Sequence, residues 1–141
     1  MKLVAGLGNP GQKYETTRHN AGFLALDHLI EEWSATGPED ISEGLSWRAS
    51  LCGEKVLLFK PLTFMNHSGR CVAPLLKFYK LGPGDLIVLH DDLDIKSGCM
   101  RLKTGGGTGG HNGLKSIDTH LGAELLNYNR VRIGIGRPAS G

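Results

Sequence analysis

Two of the six histidines, His19 and His111, stand beside an asparagine in stretches that read as loops, where catalytic groups concentrate. Imidazole titrates near neutral pH, so either ring could take a proton from water. The run His90-Asp91-Asp92-Leu93-Asp94 supplies a complement. A buried carboxylate that accepts from one imidazole nitrogen fixes the tautomer and leaves the other nitrogen basic. Read as metal ligands, the same acids lack a second cluster to complete a hard cation's oxygen shell, so no metal site is expected. There is no Gly-x-Ser-x-Gly elbow, and nothing around Cys52, Cys71 or Cys99 marks a reactive thiol. A base without a nucleophile points to direct attack by water.

Glycine forms two further motifs. Six of the nine residues from Gly105 to Gly113 are glycine, a composition whose bare N–H groups can approach an anion. Without a Gly-Lys-Ser/Thr ending it is not a P-loop, and nucleoside triphosphate hydrolysis is not expected. Gly6-x-Gly8-x-x-Gly11 formally matches the dinucleotide fingerprint. A dinucleotide turn opens straight into a helix, whereas here Pro10 and a polar stretch intervene, so no nicotinamide or other cofactor is expected.

The elements that must hold these residues follow from hydrophobic period. Leu3–Leu7 is an apolar run stopped by Gly8-Asn9-Pro10-Gly11, hence a buried strand. Phe23, Leu26, Ile30 and Trp33 recur at helical spacing over 20–33, with Glu31 and Glu32 on the wet side. His28 and His120 fall within helical patterns as surface or core-edge residues. Residues 36–44 read as a loop, and 47–51 with 55–59 as a hairpin ended by Pro61. Val72, Leu75, Leu76 and Tyr79 mark a second helix that Pro74 should bend or delay. Leu86–Leu89 suits a central strand delivering His90-Asp91-Asp92 at its end. Met100 and Leu102 alternate with Arg101 and Lys103 in another strand, 112–121 reads as a short helix, and Val131, Ile133 and Ile135 mark a last strand. Interleaved strands and helices favour an α/β sandwich.

With 141 residues, 40% hydrophobic and 21% charged, the chain fits one globular domain rather than a disordered or coiled-coil chain. Its 21 glycines, about 15% and roughly twice average usage, show no collagen period. A net charge of +2 conceals an asymmetry: residues 95–141 hold seven basic and two acidic groups, leaving nine basic and twelve acidic in 1–94. One third of the chain is thus +5 and the rest −3, as expected when one surface meets phosphates. Three cysteines without C-x-x-C spacing fit a reducing compartment. Neither a signal peptide nor a bilayer-spanning run is visible, and a soluble, cytoplasmic protein is expected.

Taken in order, Gly6-Leu7-Gly8-Asn9-Pro10-Gly11, Tyr14, Thr17-Arg18-His19-Asn20, the run from Pro61 to Gly69, His90-Asp91-Asp92-Leu93-Asp94, Gly105–Gly113 and Arg130–Gly136 resemble the bacterial-type peptidyl-tRNA hydrolases. The resemblance covers nearly the whole chain. It implies a monomeric, single-domain α/β protein whose mixed central sheet is flanked by helices in three layers. It also implies hydrolysis of the ester joining a peptide to the terminal ribose of tRNA, with no membrane partner. By position, His19 would be the general base and Asp91 would hold it in its basic form. Asn9 would recognise the peptide near the ester. Tyr14, Phe64, Asn66 and Asn112 match substrate-contacting positions, with Met65 and His111 beside them. Lys103 and Arg132 resemble a basic pair that grips tRNA phosphate. Asp92 stands where many members have Glu. Members usually continue past the Gly-Ile-Gly-Arg-Pro segment, so the resemblance implies that residues 1–141 are a catalytic domain short of the family's last segment. A second reading is a non-catalytic RNA-binding relative that kept the fold and the basic face.

Overall fold

The computed structural model describes residues 1–11 and 20–137. Along them run β1 (Lys2–Gly6), α1 (Ala21–Glu32), β2 (Thr36–Ile41), β3 (Gly44–Leu51), β4 (Glu54–Pro61), α2 (Ser68–Phe78), β5 (Leu86–Asp92), β6 (Met100–Thr104), α3 (Asn112–His120) and β7 (Asn129–Gly134). Among the described residues the strands form one seven-stranded sheet in the order β2-β3-β4-β1-β5-β7-β6. β4, β1, β5 and β7 run parallel, while β2, β3 and β6 join antiparallel towards the edges. The mixed three-layer α/β sandwich is the architecture expected.

The central strands are near-continuous apolar runs because both their faces are covered. Leu3, Leu57, Phe59, Leu86 and Val88 point to the layer of α2 and α3, which contributes Val72, Leu75, Leu76, Leu114 and Ile117. Their alternates Val4, Leu58 and Leu89 point to α1, which buries Leu26. Each fully buried leucine of this kind is worth about 1.5–3 kcal/mol over leaving it in water.

One local expectation fails, and another fails in one of its two alternatives. Residues 36–41 form a strand, not a loop. It is an exposed edge strand whose register against β3 shifts between Thr36 and Glu39, so no buried face imposes an alternating pattern. Pro74 does not delay its helix, since α2 begins at Ser68 and passes through it. The proline faces outward, where water can serve the carbonyl its missing N–H leaves over.

The chain leaves β1 for α1 on one face of the sheet, and leaves β5 by way of β6 for α3 on the other. β1 and β5 are neighbours, so their carboxyl ends flank a crevice of the type in which open α/β sheets bind ligands. Helix α1 sits tightly on those ends. A methyl group on Gly22 would overlap the carbonyl oxygens of Leu7 and Leu89, and one on Gly6 would lie 2.6 Å from the Gly22 carbonyl oxygen. The Gly6-x-Gly8 spacing therefore serves helix–strand packing.

Candidate active site

A cavity of about 560 Å³ opens at this crevice. Asn9, following β1, Met65, following β4, and Asp91 and Asp92, ending β5, line it together with Lys103, His111, Asn112, Arg130 and Arg132. Seven of the residues singled out from the sequence, Asn9, Met65, Asp91, Lys103, His111, Asn112 and Arg132, thus meet around one space. Phe64 and Asn66 flank Met65 at the 3-10 turn Met65–His67 as exposed residues. His19 and Tyr14 lie outside the described residues.

Asp91 Oδ1 lies 2.8 Å from His111 Nε2. The other ring nitrogen, Nδ1, accepts from the backbone N–H groups of Gly113 and Leu114 at 3.1 and 3.3 Å, which makes His111 the cap of α3. Because Nδ1 accepts, the proton of the neutral ring is on Nε2 and is donated to Asp91. Both nitrogens of His111 are engaged, so neither can serve as a base without breaking a bond.

His90 is 2% exposed. Its Nδ1–H donates to the Asp91 carbonyl at 2.9 Å, and its ring stands edge-on to that of His111. Burial, reinforced by the neighbouring His111 and Arg130, lowers its pKa to about 4 against the pull of the Asp91 carbonyl. His90 is therefore neutral at physiological pH.

Asn9 is held from two sides. Its backbone N–H donates to Asn20 Oδ1 at 2.8 Å, its carbonyl accepts from Asn20 Nδ2 at 2.9 Å, and its side-chain Oδ1 accepts from Met65 N–H at 2.7 Å. With Oδ1 committed to a backbone donor, the amide turns Nδ2 to other use, so Asn9 offers the cavity a hydrogen-bond donor.

The basic wall comes from β6 and β7. Their register sets Arg101 opposite Arg132 and Lys103 opposite Arg130 on one face. Arg132 Nε is 2.9 Å from Asp92 Oδ2. Burial opposes ionisation of Asp92, but the Asp94 N–H and the Arg132 guanidinium outweigh it and hold this carboxyl below its ordinary range. Arg130 is only 5% exposed and has no carboxylate within ion-pair distance among the described residues; its Nη2 donates to the Gly105 carbonyl at 2.9 Å. Gly106, at φ 89°, brings the glycine loop against both cations: a Cβ there would lie 2.9 Å from Lys103 Nζ and 3.2 Å from Arg130 Nη2. Like charges facing each other across a strand pair are unfavourable unless an anion joins them.

Sequence reasoning did not give Asn20 or Arg130 a role. For Asn20 the available signal was an asparagine at a helix start immediately after a candidate base. For Arg130 it was an arginine at a position alternating with apolar residues of the last strand, two residues before Arg132.

The family model for peptidyl-tRNA hydrolase matches residues 3–141. Over all 141 residues the chain is 53% identical to peptidyl-tRNA hydrolase of Geobacillus thermodenitrificans and 50% identical to that of Bacillus subtilis, covering 75% and 74% of those proteins. The crystal structure of peptidyl-tRNA hydrolase from Acinetobacter baumannii superposes with a TM-score of 0.91 at 46% identity, over 99% of this chain and 70% of that one.

Proposed function

The chain belongs to the peptidyl-tRNA hydrolase family, and from that premise we propose how it, as an enzyme of this type, cleaves the ester of peptidyl-tRNA. The observation that carries the reading is the single cavity at the carboxyl ends of β1, β4 and β5, which gathers Asn9, Asp91, His111 and Asn112 beside Lys103 and Arg132.

His19 is the general base. The described histidines lining the cavity suit the role less well: His90 is buried and, with a pKa lowered to about 4, a weak base, and both nitrogens of His111 are engaged. His19 takes a proton from water as its oxygen attacks the ester carbon. The carbonyl oxygen gains negative charge, which the side-chain donors of Asn9, Asn66 and Asn112 are of the right type to stabilise. As the C–O bond breaks, the ribose oxygen takes the proton from the imidazolium. The products are tRNA with a free terminal hydroxyl and a peptide carboxylic acid, which gives up the second hydrogen of the attacking water to solvent as a proton and leaves as the carboxylate. Asp91 carries the charge that favours the protonated imidazole, and its bond to His111 fixes its own orientation.

Asn9 Nδ2 recognises a carbonyl oxygen on the peptide side and so separates N-blocked from free aminoacyl ends. Tyr14, Phe64, Met65 and His111 contact the peptide and the acceptor end. Lys103 and Arg132 hold tRNA phosphate. The chain's three cysteines are free, as suits a reducing compartment, and the protein works there, in the cytoplasm, as a monomer.

The decisive substitution is His19→Ala, assayed on N-acetyl-aminoacyl-tRNA. Turnover should fall by about 10²–10⁴-fold while tRNA binding is retained. Unchanged turnover would remove His19 from this role.

A further inference from the structure

We infer that Asn20 is a positioning residue of this site, acting through Asn9; the inference rests on the reading of Asn9 given above. Asn20 is 2% exposed and stands at the N-cap of α1, where an asparagine side chain ordinarily accepts from the helix's own first N–H groups. Here it makes no such bond. Its amide is turned away from the helix and spent on one residue, with Oδ1 on the Asn9 N–H and Nδ2 on the Asn9 carbonyl. A helix start has been left without its side-chain cap in favour of a contact with a cavity residue.

The geometry explains the choice of side chain. One primary amide matched to one residue's N–H and C=O acts as a two-point clamp, fixing both position and rotation of that backbone. Only asparagine has this donor and acceptor at this reach. Aspartate would set an oxygen against the Asn9 carbonyl, serine offers a single group, and glutamine is one methylene longer. Gly8 makes room, since a Cβ there would lie 2.8 Å from Asn20 Oδ1. The clamp holds Asn9 where its Oδ1 meets the Met65 N–H, and that bond turns Nδ2 into the donor offered to substrate. Asn20 also directly follows His19, so one residue ties the backbone of the recognition residue to the chain segment that carries the base.

Misplacing a recognition group by about 1 Å can cost on the order of 10²-fold in rate. The test measures kcat/KM on N-acetyl-aminoacyl-tRNA and on free aminoacyl-tRNA for the wild type, Asn9→Ala, Asn20→Ala and the double variant, with folding checked by thermal melting. Asn20→Ala should lower kcat/KM on the blocked substrate by about 10–100-fold. It should also erode discrimination against the free substrate towards the level of Asn9→Ala, and the double variant should add little to Asn9→Ala. Should the alanine variant not fold, isosteric Asn20→Asp answers instead. It keeps the acceptor, loses the donor at pH 7.5, and should regain activity relative to wild type near pH 5 as its new carboxyl takes up a proton and can donate to Asn9. Activity that falls only in proportion to the folded fraction, with discrimination intact, would make Asn20 a structural residue and overturn the inference. If Asn9→Ala itself discriminates like the wild type, the reading of Asn9 fails instead.

Discussion

His90 is a neutral histidine kept inside the protein, and that has a measurable consequence. In the unfolded chain its ring titrates near about 6.5, whereas in the fold it titrates at about 4. Between those values the unfolded chain binds more protons, so stability rises with pH through this window. The contribution is fully present above about pH 6.5 and is lost as pH falls towards 4, on the order of 3 kcal/mol in all. His90→Phe keeps a ring of similar size against His111 and removes the titration. Its melting temperature should be flatter than that of wild type between pH 6.5 and 4, and an unchanged slope would show that another group sets it. The carboxyl of Asp92, depressed in the fold, acts in a separate window: its stabilisation is present above about pH 3.9 and lost as pH falls below that. At this scale the sequence was informative about identity and silent about pairing. Asn9, Asp91 and Asn112 could be picked out from their motifs, but the Asp91–His111 contact depends on the glycine loop folding back over β5, which no local pattern encodes.

Among elements, the placement of α1 decides whether the site exists, because its first turn rests on the ends of β1 and β5. Gly22 is the point of closest approach. Gly22→Ala would force a methyl group into the backbone of Leu7 and Leu89, so α1 must withdraw and take Asn20 with it. Overpacking of this kind costs about 1–3 kcal/mol, which denaturant unfolding would measure, and hydrolysis should drop along with it. Gly107→Ala is the matched control, since a Cβ there meets open space; stability should stay within about 0.5 kcal/mol. A Gly22→Ala protein as stable and active as wild type would show that the helix does not set the crevice. The helix itself was legible from the spacing of Phe23, Leu26, Ile30 and Trp33, and β5 from its apolar run. β2 was not, because Thr36–Ile41 is an exposed edge whose Gly, Pro, Glu and Asp carry loop composition, and only pairing to β3 makes it a strand.

For the whole molecule, a net charge of +2 predicts little attraction to RNA, yet the fold sorts charge so that a local field exists. Register across β6 and β7 gathers Arg101, Lys103, Arg130 and Arg132 on one face, and Lys103, Arg130 and Arg132 form the cavity wall. Two of these differ in availability. Lys103 is an exposed cation, whereas Arg132 is held by Asp92, and in the proposed role it must exchange that carboxylate for a phosphate. Binding through phosphate contacts releases counterions, so log KM for peptidyl-tRNA should rise linearly with log salt while kcat changes little. Removing one contact lowers the slope by about 0.7–0.9. Lys103→Gln should do so and raise KM at low salt. Asp92→Asn should act in the opposite sense, because releasing Arg132 lets it meet phosphate without first giving up a partner: KM should fall and the salt slope should steepen. Equal slopes for Lys103→Gln and wild type would mean that Lys103 meets no phosphate. A rise in KM for Asp92→Asn would instead identify the ion pair as what orients Arg132 towards its ligand.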